Sequence, residues 1–309
     1  MNIVFMGTPS FAVPVLQALH AAGHHIVAVV TQPDKRNGRK GTMTPPPVKQ
    51  AAQTLHLPVY QFEKIKSEQS AQTLESFGAD VIVTAAYGQI LSRRNLQAAP
   101  LGVINAHASL LPRYRGSAPV NWCLMEGETQ TGVTTMHSDV GIDDGDMILQ
   151  QIVDIDPHDN AQTLLERLSH VAATLMCQTL EQLENGTAPR IPQNPAYATY
   201  QPMLKKQDGL LDFSLPARTL CNRERGLTPW PGVFAPFEGE NWKLFGLSAE
   251  EGTGEPGAVL SADPQTGMVI ACGDGAIRVQ EIQVPGKKRM PVGAFLRGKT
   301  IAQGARFGR

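Results

Sequence analysis

From residue 2 to residue 183 the chain alternates short apolar runs of strand length with longer segments of helical period. Residues 2–6 (NIVFM) close on Gly7-Thr8-Pro9, a turn signal, and Ser10 is placed to cap a helix over 11–22. Strand patterns follow at 25–31, 58–60, 80–85, 101–105, 131–137 and 147–155. Helical segments are expected at 48–56 and 67–77, and a long one at 161–183, where Leu164, Leu168, Val171, Leu175 and Leu180 repeat near the helical period. Asn185-Gly186 is suited to end that helix with a left-handed cap. Strands alternating with helices predict an α/β fold, its mostly parallel sheet covered on both faces. Residues 32–47 break the pattern as a long polar loop whose exit is fixed by Pro45-Pro46-Pro47; loops of that length in compact domains carry function or are disordered.

Beyond Gly209 the texture changes. Apolar runs at 233–237, 242–247, 258–260, 268–272 and 277–282 are separated by Gly, Pro, Asp and Asn, which predicts a small antiparallel barrel or sandwich. The expected division is a domain over 1–186, a proline-containing linker over 187–206, and a second domain over 207–309.

With 309 residues the chain can bury a core in one large and one smaller domain. Its 42% hydrophobic and 18% charged composition is that of a soluble globular protein, and its prolines and glycines are spread out, so disorder is not indicated. Cys123, Cys177, Cys221 and Cys272 stand alone without a CxxC pair; no zinc or other metal site is expected, and the thiols read as reduced and buried. There is no run of about 18 apolar residues and no basic-then-apolar leader, so the expectation is a cytoplasmic chain with no membrane partner. Net charge is −1, but residues 34–49 hold five basic residues and one acidic, and residues 285–309 hold seven basic and none acidic. Either these patches are a solvated loop and a frayed tail, or they meet a phosphate-rich partner locally.

Ligands of open α/β sheets bind beyond the carboxyl ends of the strands. Of three such ends, 7–10 lacks the G-x-G-x-x-G spacing of a dinucleotide site. The others are 86–91 (AYGQIL) and 105–112 (NAHASLLP). Asn105 and His107, two apart on an extended segment, share a face. Residues 141–146 (GIDDGD) place three carboxylates in a Gly-rich loop between two strands, from which one could orient the imidazole. The loop is too short for a calcium loop and lacks its distal glutamate. Taken by themselves these residues define a polar site of unassigned reaction.

Residues 105–119 (NAHASLLPRYRGSAP), with 132–136 (GVTTM) and 141–147 (GIDDGDM) behind them, resemble the hallmark segments of the folate-dependent formyltransferases. Within that family the chain is most similar to the tRNA-acting branch over nearly its whole length: FMGTPSFA at 5–12, TQPD at 31–34 with its basic loop, AYGQIL at 86–91, PWPG at 229–232 and GKKRM at 286–290. Departures are mild; Arg225-Gly226-Leu227-Thr228 stands where the family usually has Arg-Ala-Leu-Asn.

The resemblance implies a Rossmann-like formyltransferase domain followed by a smaller OB-like β-barrel. It implies a reaction in which an amine attacks the formyl carbon of 10-formyltetrahydrofolate, with Asn105 donating to the oxyanion, His107 stabilising it and shuttling a proton, and Asp143 holding His107 and helping to move the amine proton. The folate would lie along Ser109, Leu110, Leu111 and Pro112, with Tyr87, Gly88, Gln89, Ile90 and Leu91 and the loop at 140–143 reading the pterin. The acceptor would be methionyl initiator tRNA: Arg39 testing the first pair of the acceptor stem, Lys35, Arg36 and Lys40 on phosphates, and Lys287, Lys288 and Arg289 on the rest of the arm. A monomer is expected. Two rivals stand beside this reading. A formyltransferase acting on an amino sugar nucleotide would share Asn105, His107 and Asp143, and Asn121-Trp122 leans that way. A non-catalytic tRNA-binding protein would not need those three residues.

Overall fold

The computed structural model describes residues 1–37 and 41–308. The chain divides into two compact units, the first made of residues 1–119, 130–155 and 164–201, the second of 120–129, 156–163 and 202–309.

The first unit is built on strands β1 (Asn2–Gly7), β2 (His25–Thr31), β3 (Lys35–Asn37), β4 (Thr42–Thr44), β5 (Val59–Gln61), β6 (Val81–Ala85), β7 (Val103–His107), β8 (Arg115–Gly116), β9 (Gln130–His137), β10 (Met147–Asp154) and β11 (Tyr200–Gln201). Seven of them form one sheet in the order β10-β9-β7-β6-β1-β2-β5. It is parallel from β5 to β7, and β9 and β10 are added antiparallel. β1, buried from Ile3 to Gly7, and β6, apolar but for Thr84 and buried throughout, lie at its centre, as expected of strands covered on both faces. Helices α1 (Val13–Ala21), α2 (Pro47–Thr54), α3 (Glu68–Ser76), α4 (Arg93–Leu96) and most of α6 (Ala161–Glu184) accompany the sheet. Leu74 of α3 packs with Val4, Met6, Val30 and Ile82 in one core. Thr179 of α6 meets Thr135 of β9 through their hydroxyls at 2.7 Å.

Three details differ from the sequence pattern. Ser10 caps nothing; residues 10–12 form a 3-10 turn and the α-helix begins at Val13, with Pro14 in its first turn, where the missing N–H costs nothing. The expected loop at 32–47 contains an antiparallel hairpin, with Lys35 opposite Thr44 and Arg36 opposite Met43. The stretch read as a linker is structured through Gln201: β11 pairs with β8, Tyr200 opposite Arg115, and Thr199 binds Tyr114 and Arg115. Prolines removed the periodicity there, but the free carbonyls and N–H groups still found partners on another segment.

The second unit carries α5 (Pro119–Met125), α7 (Ala217–Leu227), α8 (Val292–Leu296) and strands β12 (Val233–Phe237), β13 (Glu240–Glu250), β14 (Val259–Asp263), β15 (Gly267–Ala271), β16 (Ala276–Gln283) and β17 (Met290–Pro291). The sheet is antiparallel, in the order β12-β13-β16-β15-β14 with β17 on β16. Instead of a β14–β12 ladder, the C-terminal tail spans the two edges: Val259 N donates to Ala305 O at 2.8 Å, Phe307 N to Gly257 O at 2.9 Å, and Gly308 N to Pro236 O at 2.8 Å. Phe307 anchors this tail, stacked on Phe237 at 4.2 Å. A basic tail that looked able to fray is therefore pinned through residue 308. Gly226 sits where α7 meets α5; an added Cβ would lie 2.6 Å from Asn121 O and 3.1 Å from Met125 N.

Candidate active site

β7 delivers the first two site residues. Its register on β6 sets Asn105 opposite Thr84, and the Thr84 hydroxyl donates to Asn105 Oδ1 at 2.8 Å. That bond consumes the acceptor end of the amide and leaves Nδ2 as the donor for a ligand. His107, two residues on, is buried at 7% exposure. Its Nε2 lies 2.9 Å from Tyr114 O; a carbonyl only accepts, so Nε2 carries the proton. The other ring nitrogen, Nδ1, faces Asp143 Oδ2 at 3.6 Å.

Asp143 arrives from the loop between β9 and β10. β9 runs antiparallel to β7 with His137 opposite Ile104, so the chain leaves β9 beside the start of β7 and returns through residues 138–146. Gly145 presses against β9 so closely that a Cβ would collide with His137 O. Asp143 itself adopts a left-handed backbone, φ 49°, a conformation Asp tolerates better than most residues. Its Oδ2 accepts from Gly116 N at 2.8 Å. Asn105, His107 and Asp143 are thus assembled by one strand and one loop, in an arrangement able to donate to a developing oxyanion and to exchange a proton beside it.

The sequence did not single out the supports of this cluster. Tyr114 (φ 59°) and Gly116 (φ 93°) bend the backbone, which presents the Tyr114 carbonyl to His107 and the Gly116 N–H to Asp143. Gln193, in the stretch read as a linker, donates from Nε2 to Asp143 O and to Gly145 O, both at 2.8 Å. Thr84 was visible as the one hydroxyl residue in an apolar strand; nothing in the sequence marked Gln193.

Several residues assigned to folate are committed to the protein. The Ser109 hydroxyl donates to Arg113 O at 2.9 Å and its carbonyl accepts from Thr134 at 2.7 Å. Leu111 N and O are bound by Thr134 and Gln150 at 3.1 and 2.8 Å. Gln89 fastens the 62–65 segment, donating to Phe62 O at 3.0 Å and accepting from Ile65 N at 2.9 Å. Tyr87 is buried with an unpartnered hydroxyl, and burial pushes its pKa up to about 12. Leu91 packs against the core. Leu110 and Pro112 are half-buried, and Gly88 and Ile90 are exposed. A cavity of about 520 Å³ lies elsewhere, lined among others by Leu96, Val103, His137, Asp144, Asp146 and Arg190. It contains none of the three central residues, yet the loop that carries Asp143 forms part of its wall. Burial is the main cause lowering the His137 pKa there, with Arg190 adding to it.

Of the basic residues, Lys35 and Arg36 are exposed on β3, and Lys287 and Lys288 are exposed before β17. Arg289 is exposed but engaged, stacked 4.1 Å over the Phe245 ring and ion-paired with Glu281. Arg39 and Lys40 lie outside the described residues. Among the described residues no His, Cys, Asp or Glu group of metal-binding size occurs, no cysteine is disulfide-bonded, and no helix is long and apolar enough to cross a membrane.

The chain belongs to the formyl transferase family: that family's model matches residues 1–180 and the model of its C-terminal domain matches residues 203–300. It is 46% identical to the methionyl-tRNA formyltransferase of Geotalea daltonii over 100% of this chain and 98% of that one. It is 44% identical to the protein of the same name from Geobacter sulfurreducens, over 100% and 97%. Among solved structures it resembles the sugar 3N-formyltransferase WlaRD (TM-score 0.67, 17% identity, 93% of this chain and 99% of that one). It also resembles HypX from Aquifex aeolicus in complex with tetrahydrofolic acid (TM-score 0.65, 17% identity, 96% of this chain), of whose length it spans 47%. At such identity the two structures speak for the fold alone.

Proposed function

We propose that this protein transfers the formyl group of 10-formyltetrahydrofolate to the α-amino group of methionyl initiator tRNA, giving N-formylmethionyl-tRNA. The observation that carries the reading is the cluster in which Asn105 Nδ2 is left as a donor, while His107 Nδ1 and Asp143 Oδ2 face each other at 3.6 Å. The neutral amine attacks the formyl carbon and the carbonyl π pair moves to oxygen. Asn105 donates to that oxyanion and His107 stabilises it. The amine loses its proton through Asp143, the C–N10 bond breaks, and N10 of the folate takes up a proton as the formylamide forms. Each proton-transfer group of this kind contributes about 10²–10⁴-fold.

The cavity walled by Leu96, Val103, Asp144 and Asp146 is of a size that suits a bicyclic ring system, and it shares its loop with Asp143. Residues 1–186 carry the chemistry and residues 207–309 hold the acceptor arm, with Arg39 testing the first pair of the acceptor stem and Lys35, Arg36, Lys40, Lys287 and Lys288 on phosphates. The enzyme acts as a cytoplasmic monomer. The full-length likeness to methionyl-tRNA formyltransferases supports the choice of acceptor.

The test is a formyl-transfer assay with three acceptors in parallel: methionyl initiator tRNA, methionyl elongator tRNA and a 4-amino sugar nucleotide. Formylation of the initiator alone is expected. Formylation of the sugar alone would keep the chemistry and discard the acceptor; formylation of none would remove the reading.

A further inference from the structure

We propose that Arg115 and Gln193 form a positioning pair whose task is to set Asp143 against His107. The inference rests on the formyl-transfer reading above. Gln193 is 9% exposed and Arg115 4%. Both lone pairs of Gln193 Oε1 are taken by the Arg115 guanidinium, from Nε at 3.0 Å and Nη2 at 2.7 Å. Both N–H groups of its amide are taken by loop carbonyls, Asp143 O and Gly145 O at 2.8 Å. The side chain has no capacity left for a ligand; all of it is used to join a cation to the backbone on either side of Asp144.

The direction of polarisation matters. A buried guanidinium pulling on Oε1 strengthens the amide N–H groups at the other end of the same conjugated group, so the charge of Arg115 is felt at the carbonyl of Asp143. That carbonyl belongs to a residue at φ 49°; a strained non-glycine residue persists there only where its surroundings over-determine it. The residue next to Arg115 completes the hold: Gly116 N donates to Asp143 Oδ2 at 2.8 Å. On its other side Tyr114 O receives His107 Nε2 at 2.9 Å. Three consecutive residues therefore set the imidazole, the loop backbone and the carboxylate, and Gln193 is the link that carries Arg115 to the loop. Arg115 is itself held by the Tyr200 hydroxyl at 2.8 Å.

A purely structural role would tie residues 190–201 to the sheet and nothing more. Gln193→Glu separates the two cases. The carboxylate still accepts from Arg115, so the segment stays anchored, but its oxygens now face the carbonyls of Asp143 and Gly145 and push the loop away. Steady-state formyl transfer and thermal midpoints are measured for the wild type, Gln193→Glu, Gln193→Ala, Asp143→Asn and the double variant Gln193→Ala/Asp143→Asn. The expected result is a kcat about 10–100-fold lower in Gln193→Glu and Gln193→Ala, KM for folate and tRNA within about twofold of the wild type, and no further loss when Gln193→Ala is added to Asp143→Asn. A Gln193→Glu variant with wild-type kcat overturns the proposal, as does a fully additive loss in the double variant. A wild type that does not formylate any acceptor fails on the underlying reading instead, and the wild-type arm shows this on its own.

Discussion

His107 Nδ1 stands 3.6 Å from Asp143 Oδ2, beyond the range of a good hydrogen bond, while that same oxygen is bound at 2.8 Å by Gly116 N. The carboxylate is thus held by the backbone and only faced by the imidazole, so a reacting proton can pass between them without first breaking the Gly116 bond. Asp143→Asn keeps an oxygen for Gly116 and removes the charge. Its kcat is expected to fall about 10²–10⁴-fold with an unchanged thermal midpoint. Near-normal turnover in steady-state assays would take Asp143 out of the proton path.

Asn105 and Thr84 form a second pair with separable roles. Asn105→Ala removes the proposed oxyanion donor and should lower kcat about 10²–10³-fold. Thr84→Val leaves the donor in place but frees the amide to rotate, so the expected loss is smaller, about tenfold. Equal losses in both variants would mean that the hydroxyl acts on the substrate directly.

The basic residues of the second unit differ in what they can offer a phosphate. Lys287 and Lys288 are exposed, whereas Arg289 is stacked on Phe245 and paired with Glu281. Lys287→Ala and Lys288→Ala should each raise KM for tRNA and reduce the salt dependence of tRNA binding by about one unit of slope. Their KM for folate should not move. Filter binding of the initiator tRNA across a salt series reads this out, and an unchanged slope would remove these lysines from the interface.

Glu224 on α7 offers a pH test of stability. Burial raises its pKa, offset only in part by the Gly246 N–H, Thr228 and the more distant arginines. A carboxyl whose folded pKa is raised binds its proton more tightly when folded, so stability is lost as pH climbs from the unfolded value through the folded one. Glu224→Gln should therefore raise the thermal midpoint at pH 7 and leave it nearly unchanged at pH 4. The same gain at both pH values would assign the effect to packing.

Much of the architecture was legible because its determinants are local. A run such as Val81–Ala85 is buried on both faces and reads as a strand wherever it is placed. Helix α3 starts where Ser67 accepts from Ser70 N, as an N-cap serine does. Asn105 and His107 lie on one strand, so their shared face follows from a two-residue period. The hairpin at β3 and β4 was not legible, since two three-residue strands carry too little alternation to stand out from a polar loop.

The sequence by itself determined which segments form strands and helices, that the sheet would be mostly parallel, and that Asn105 and His107 would project together; each of these is settled by neighbours along the chain. Only the tertiary structure decided that Asp143 reaches His107, that the Gln89 and Ser109 side chains are taken up by the protein's own backbone, and that Gln193 ends between Arg115 and Asp143. Those relations join segments far apart in sequence. They exist because buried N–H and C=O groups must find partners, and which partner each finds depends on the packing of the whole sheet, not on any local pattern.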